Sequence, residues 1–376
     1  MKKERIISES APDVEVIFEF NGARKNPVIS GYRPMHLVKE DYLTTGLHRY
    51  YGAETVAADG TAEGTITFIT PEAYPHCMYI GKQINIQEGK RVVGTATVTK
   101  VLNPLLAYAE LKYPVLLVHG MGFRDHKRIC YWGRIPKALE QMGAKIFYGG
   151  QDSNASIETN ARHIAARIDD ILLETDAKKV NIIAHSKGGL DCRYAISCLG
   201  MAEKVASLTT ISTPHHGSKT VDALLKIPAF LVKAGCFCAD IWFSLLGDKN
   251  PDTYSAISSF TTAAAKKFNE EVTDSESIYY RSYAFVMQKA SSDIFMWLTN
   301  LVVGAFEGEN DGLLAPRSVK WGDFRGTFRG EGRRGISHCD EVDMRRRPLS
   351  KKRGEGVSDI VDIYREIISD LYEMGL

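Results

Sequence analysis

The run VNIIAHSKGGLDCRYA, Val180 to Ala195, restricts the fold more than any other stretch of the chain. Val180, Ile182 and Ile183 read as a buried strand and Gly188 onward as a helix, with Ser186 on the junction. A strand that turns at once into a helix holds its turning residue in an awkward backbone conformation, and small neighbours let the turn close. The outcome is a serine hydroxyl exposed at a sheet edge with helix N–H groups beneath it. That is the geometry of a nucleophile elbow, usually written Gly-x-Ser-x-Gly. Here Ala184-His185-Ser186-Lys187-Gly188 carries alanine at the first small position. An ordinary strand–loop–helix turn reads the same way at this level, so partners for the serine must be sought elsewhere.

The chain changes character near residue 110. Before it, EVIFEF (15–20), GTITFI (64–69) and RVVGTATVTKVL (91–102) are short alternating or β-branched runs punctuated by Gly, Pro and Asn, which predicts a small all-β unit over 1–110. After it, PVLLVHG (114–120) and KIFY (145–148) read as strands. Apolar residues at 161, 164, 165, 168, 171 and 172 have helical spacing, and ASLTTIST (206–213) follows the serine helix as another strand. A last helix from Ser358 lines up Ile360, Ile363, Ile367 and Leu371. Such alternation predicts an α/β fold over 111–376, a mostly parallel sheet with helices on both faces. With 376 residues there is room for two domains, and a net charge of +1 gives no global field toward nucleic acid or membrane. The seven cysteines suit a reducing compartment, and Cys236-Phe237-Cys238 reads as apolar packing rather than a ligand pair. MKKERIISES has basic residues without an apolar run behind them, so the expected location is cytoplasmic.

A serine hydroxyl needs a base within hydrogen-bond reach, and the base needs an orienting acid. When these follow the serine in the order acid then histidine, the choice among ten histidines narrows. His119 lies upstream, His185 adjoins the serine and is expected to point elsewhere, and His215 and His216 precede the later strands. His338 remains, just ahead of the final helix. Asp311, in GENDGLLAP between Asn310 and Gly312, has the turn residues that would hold a carboxylate at a strand-end loop, with Asp293 and Asp323 as rivals on spacing. An oxyanion would need two backbone donors: Lys187 N–H after the serine, and Met121 N–H in the HGMG loop after an early strand.

YPVLLVHGMG, KVNIIAHSKGG, TISTPHHGS, NDG and HCDEV, in that order from about residue 113, resemble the successive blocks of the bacterial true lipases (family I) within the α/β-hydrolase superfamily. The resemblance implies Ser186 as nucleophile, Asp311 as acid and His338 as base, with Met121 and Lys187 supplying the oxyanion hole. It requires no cofactor but admits a structural calcium. Asp340 matches one family aspartate and Asp293 loosely the other, whereas Met344 stands where such members have Gln. GYRPMHLVKEDYLTTG and IQEGKRVVGTATVTKVL, within residues 12–104, resemble the C-terminal β-barrel of elongation factor Tu; without any G-x-x-x-x-G-K-[ST] there is no reason to infer a GTPase.

Two further stretches bear on substrate. Residues 222–247 are unusually apolar but interrupted by Lys226, Pro228, Lys233 and Asp240, which opposes a membrane span and fits either a helical lid or a buried cap helix. From Trp321 to Arg353, Lys and Arg outnumber Asp and Glu two to one, including Arg345-Arg346-Arg347, which fits a solvated loop or a site of transient contact with anionic lipid. The expectation is a serine hydrolase acting on a small-molecule ester or lipid, with no nucleic-acid partner and with the partner of the barrel unassigned. The alternatives are an acyltransferase or amidase with the same three residues, or a non-catalytic binding protein led by the barrel.

Overall fold

The computed structural model describes residues 7–39, 42–108, 111–122, 130–350 and 356–376. Residues 1–6, residue 110 and residues 351–353, on which the readings of the leader, the domain boundary and the basic run partly fall, lie outside the described residues. The chain divides into two units: Met1–Leu111 with Ala138–Ala144 and Arg365–Gly375, and Lys112–Lys137 with Lys145–Tyr364 and Leu376.

The first unit contains β1 (Val14–Phe20), β2 (Val28–Ile29), β3 (Met35–Lys39), β4 (Tyr42–Tyr50), β5 (Thr55–Val56), β6 (Thr61–Phe68), β7 (Gln83–Glu88) and β8 (Arg91–Val101). Six of these close an antiparallel barrel in the order β1-β6-β4-β3-β7-β8, with β8 pairing back to β1, while β2 and β5 form a separate ladder. Closure removes exposed strand edges. Alternation along VEVIFEF turns Val14, Val16, Phe18 and Phe20 inward, where they meet Ile66, Phe68, Ile84 and Val98. The same core holds His36 and His48 with Nε2 atoms 2.8 Å apart. Burial pushes the His36 pKa down to about 3, so the pair sits as two neutral rings sharing one N–H rather than as repelling cations.

From Lys112 onward the elements are β9 (Val115–Val118), α1 (Ile135–Glu140), β10 (Ile146–Tyr148), α2 (Ile157–Thr175), β11 (Val180–His185), α3 (Lys187–Cys198) and β12 (Val205–Ile211). Then follow α4 (Lys219–Leu224), α5 (Ala229–Leu245), α6 (Thr253–Ser258), α7 (Thr262–Glu271), β13 (Tyr279–Val286), α8 (Trp297–Glu307), α9 (Pro316–Val319), β14 (Asp323–Arg329) and α10 (Ile360–Glu373). The sheet is parallel throughout, in the order β10-β9-β11-β12-β13-β14. Helix α2 starts at Ser156, whose side chain accepts from Thr159 N–H, and it buries Ala161, Ile164, Ile168 and Ile171 against Leu116, Val118, Ile182 and Leu208. Strand order reverses at β9, with β10 on one side and β11 on the other. In open parallel sheets the crevice at the carboxyl ends of the strands opens at such a reversal. The loops after β9 and β11 are those carrying Met121 and Ser186.

Two strands had no clear pattern in the sequence. In β13, YYRSYAFV buries Arg281 completely; its Nε donates to Thr209 Oγ1 at 2.8 Å, and its guanidinium lies over the rings of Tyr279 and Tyr283. Strand β14, DFRGTFR, is a half-exposed edge whose charges guard it against further pairing.

One arginine ties distant parts of the second unit. Arg134 reaches both oxygens of buried Asp343, through Nε at 2.8 Å and Nη2 at 2.7 Å, and both oxygens of Asp359 at 2.8 Å. Arg134→Ala removes this guanidinium from the buried Asp343 carboxylate, which keeps only the residue-134 N–H of these donors, at 2.7 Å, so it should cost ~2–3 kcal/mol of stability. A urea midpoint indistinguishable from wild type would show that Asp343 finds another partner.

Candidate active site

Ser186 sits between β11 and α3 with φ 52° and ψ −129°, a conformation that a residue with a side chain adopts only when its surroundings enforce it. Its N–H donates to Ile211 O at 2.9 Å, and its carbonyl accepts from Thr213 Oγ1 at 2.8 Å. The small neighbours have specific reasons. A Cβ on Gly188 would lie 2.5 Å from His119 O, and one on Gly120 would lie 2.8 Å from Ser186 Cβ. The loop after β9 therefore packs directly against the elbow. Ser186 keeps partial exposure while its neighbours His185 and Lys187 are buried.

Lys187 is the first residue of α3, where the first-turn N–H groups lack intrahelical partners and point toward the helix N-terminal end. Its side chain does not reach solvent. Nζ is 2.6 Å from Asp191 Oδ1, one helical turn on, and Asp191 also accepts from Asn160 Nδ2 at 3.0 Å. Burial, opposed by the Lys187 charge, pushes the Asp191 carboxyl up to about 6. In the HGMG loop Met121 is half-buried, and the next N–H, of Gly122, donates to Asn154 Oδ1 at 3.0 Å.

His338 and Asp311 meet. The His338 N–H donates to Asp311 O at 2.8 Å, and the ring Nδ1 is 2.8 Å from Asp311 Oδ2. The other carboxylate oxygen accepts from the N–H groups of Leu313 and Leu314, both at 2.8 Å. Burial works to raise the Asp311 pKa, but the adjacent imidazole and these donors outweigh it and hold the carboxyl below its ordinary range. An ionised Asp311 fixes the proton on Nδ1 and leaves Nε2 as the basic nitrogen. The rival acids lie elsewhere: Asp323 pairs with Tyr279 and Arg325, and Asp293 accepts from Ser337 Oγ at 2.6 Å. His119 bonds Gln151 O, His215 packs against Trp321, and His216 bonds Lys320 O.

The expectation that His185 points away is corrected by the structure. Its ring centroid is 4.4 Å from that of His338. Tyr131 OH lies 2.7 Å from His185 Nδ1, and His185 Nε2 lies 3.0 Å from Glu341 Oε2, which in turn is 3.6 Å from His338 Nδ1. Gly120 N–H donates to the same Tyr131 oxygen at 3.1 Å. Burial drives His185 well below its usual pKa. Burial and the charge of Asp311 drive Glu341 well above its own. The line from Gly120 through Tyr131 and His185 to Glu341 is therefore a chain of neutral groups beneath the ionised Asp311. Glu341 stands in HCDEV, but nothing in the sequence marks a third carboxyl there for burial.

Calcium asks for six to eight oxygens at close range. At Asp293 and Asp340 the oxygens face cations already. Arg334 Nη2 is 2.7 Å from Asp340 Oδ2 and 3.9 Å from Asp293 Oδ2, and Arg345 Nε is 3.9 Å from Asp340 Oδ1. A divalent ion would meet two guanidinium groups there, so these residues do not fit it. His185, His338 and Glu341 also lie close enough to hold a metal, but the atoms that face one another are in use, His185 Nε2 with Glu341 Oε2 and His338 Nδ1 with Asp311 Oδ2.

The apolar stretch 222–247 forms α4 and α5, and α5 is no buried cap: Cys236 is its only buried residue, and Phe230 is 71% exposed. Asp248, just past α5, holds the N–H groups of Ser153 and Asn154 at 3.1 and 3.0 Å. A second apolar surface precedes Asp311: Ile294 and Phe295 are 79% and 75% exposed, and α8 continues it with Leu298, Leu301 and Phe306. Among the described residues no helix is long and apolar enough to cross a membrane.

Comparison with known proteins gives a consistent result. Residues 114–325 match the family described as palmitoyl protein thioesterase. Triacylglycerol lipase 2 of Saccharomyces cerevisiae is 30% identical over 263 residues, covering 66% of this chain and 74% of that protein. A triacylglycerol lipase of Vibrio cholerae is 27% identical over 301 residues, covering 72% and 90%. Among solved structures, a metagenomic carboxyl esterase aligns with TM-score 0.57 at 15% identity over 80% of this chain and 86% of its own. The Staphylococcus hyicus lipase aligns with TM-score 0.54 at 17% identity over 71% and 96%.

The Glu341 environment yields a pH test. A pKa raised in the fold contributes its stability fully below the ordinary value of 4.5 and loses it as pH rises through the raised value. Glu341→Gln keeps a neutral acceptor for His185 and removes that loss. The difference in unfolding free energy should therefore shift in favour of the variant as pH rises above 4.5. A difference independent of pH would mean that Glu341 ionises freely.

Proposed function

The chain belongs to the palmitoyl protein thioesterase family and is a lipase-like α/β-hydrolase acting on carboxylic esters, and from that premise we propose that it cleaves long-chain acyl esters through an acyl-enzyme on Ser186. The observation that carries this reading is the 2.8 Å contact of His338 Nδ1 with an ionised Asp311 in the unit whose elbow strains and exposes Ser186.

In the proposed reaction His338 Nε2 takes the Ser186 proton as Oγ adds to the ester carbonyl. The N–H groups of Met121 and Lys187 receive the negative oxygen, and Asp311 stabilises the imidazolium. Collapse breaks the C–O bond to the alcohol, which leaves with the proton from His338. Water, deprotonated by the same nitrogen, then adds to the acyl-enzyme and releases the acid and Ser186. The chain from Gly120 to Glu341 would keep the oxyanion loop and the base in register.

Helix α5 is the proposed lid. Its exposed apolar face and that of α8 would meet a lipid aggregate when an acyl chain enters, which favours long chains over short soluble ones. Arg346 and Arg347 are exposed and available to an anionic headgroup, whereas Arg345 turns toward Asp340. The family description favours a second reading, an acyl thioester as substrate, which the same residues would cleave with a thiolate as leaving group.

Hydrolysis of p-nitrophenyl esters from acetate to palmitate, compared with palmitoyl thioester, tests both readings. Wild type should prefer long chains, and Ser186→Ala should lose on the order of a million-fold in kcat. Near-wild-type turnover by Ser186→Ala would remove the serine from the mechanism. A kcat/KM for the thioester far above that for the matched ester would select the second reading.

A further inference from the structure

The calcium that the lipase resemblance admits has a cationic stand-in in the fold, the Arg334 guanidinium beside Asp340 and Asp293. We propose that Arg334 is a built-in replacement for a divalent ion, clamping the loop that carries His338 so that this enzyme needs no calcium.

Asp293 and Asp340 are both buried, and they belong to segments far apart in the chain. Ser337 stitches them, donating through Oγ to Asp293 Oδ2 at 2.6 Å and through N–H to Asp340 Oδ2 at 3.1 Å. Two buried carboxylates so joined require positive charge. Arg334 supplies it: Nη2 contacts Asp340 Oδ2 at 2.7 Å and stands 3.9 Å from Asp293 Oδ2, while Nη1 donates to the carbonyl of Ser292. Arg345 Nε, 3.9 Å from Asp340 Oδ1, is the second cation facing the pair. Two carboxylates meet two guanidinium groups, so local charge is already balanced. A calcium ion would leave the buried site with two excess positive charges.

The clamp acts where the base is held. Arg334 O accepts from Gln288 N–H at 3.2 Å, and Ile336 N–H donates to Val286 O at 2.9 Å, fastening this loop to the end of β13. Asp340 is two residues beyond His338, and Asp293 lies on the segment leading into α8 and Asp311. Arg334 is thus a positioning residue. It fixes the spacing of His338 and Asp311 from outside, as a metal would, but as part of the chain it cannot dissociate.

The test uses the full chain with calcium added or chelated. Wild type should give no calcium heat by isothermal titration calorimetry, and the same melting temperature and esterase activity in EDTA as in millimolar CaCl2. Arg334→Ala should melt lower and lose on the order of tenfold to a hundredfold in kcat. With the cradle emptied, CaCl2 but not MgCl2 should raise its melting temperature. Arg334→Lys, which retains a charge, should stay indifferent to calcium. Calcium binding by wild type, or a lower melting temperature in EDTA, overturns the proposal, and this result does not require any variant to fold. An Arg334→Ala protein equal to wild type without calcium, or destabilised yet indifferent to calcium, overturns it as well. The link to activity rests on His338 as the base, but calorimetry and melting do not. Failure of the esterase reading would therefore leave turnover absent while these readouts still decide the clamp.

Discussion

The structure of the hydrolase unit is organised around one strained residue. A serine at φ 52° is uphill in isolation, and it persists because the ends of β9, β11 and β12 all press on it. Gly188 lets the end of β9 approach α3, Gly120 lets the following loop lie on the serine, and β12 receives the serine N–H. Each of these contacts exists because the parallel sheet places those three strand ends side by side at its reversal point. The elbow thus depends on the sheet, and the exposed hydroxyl depends on the elbow.

Charge is handled beneath the site by keeping most buried groups neutral. His185 and Glu341 are both held uncharged, and only Asp311 keeps its charge, secured by two backbone N–H groups and the imidazole. A second buried carboxylate beside Asp311 would repel it and loosen its grip on His338, so a protonated Glu341 preserves the electrostatics of the pair. Around the rim the logic reverses. Lys187–Asp191, Arg134–Asp343 and the Arg334 clamp are ion pairs with at least one fully buried partner; the first braces one turn of α3, and the other two tie distant chain segments together. Such pairs add specificity of arrangement more than net stability.

The exposed apolar faces of α5 and α8 are the other unusual feature. Their rings and leucines stand in solvent although the chain has room for a large core, and both helices flank loops of the candidate site. Asp248 pins the end of α5 to Ser153 and Asn154, next to the loop that holds Met121, so a movement of the proposed lid would be felt at the proposed oxyanion donors.

Much of this was legible in the sequence. Period-two alternation in VEVIFEF, continuous apolar runs at β9, β11 and β12, and helical spacing in α2 follow from local physics, because burial on one face or two leaves its period in the chain. That Asp311 and His338 come together could be anticipated from their order after Ser186, because chain order constrains which loops end at one sheet edge. Other features could not be read. Strand β13 was obscured because it buries Arg281, whose guanidinium lies over Tyr279 and Tyr283 of its own strand but finds its acceptor, Thr209 Oγ1, on the neighbouring β12. His185 was expected to face away, yet Tyr131 and Glu341, fifty-four and 156 residues distant, turn it against His338. Asp293 and Asp340 suggested a metal because aspartates in sequence look alike whether they face an ion or an arginine. Residue types and their order fix which chemistry is available, but the partner that neutralises each buried charge is chosen by long-range packing, which has no period and leaves no local mark.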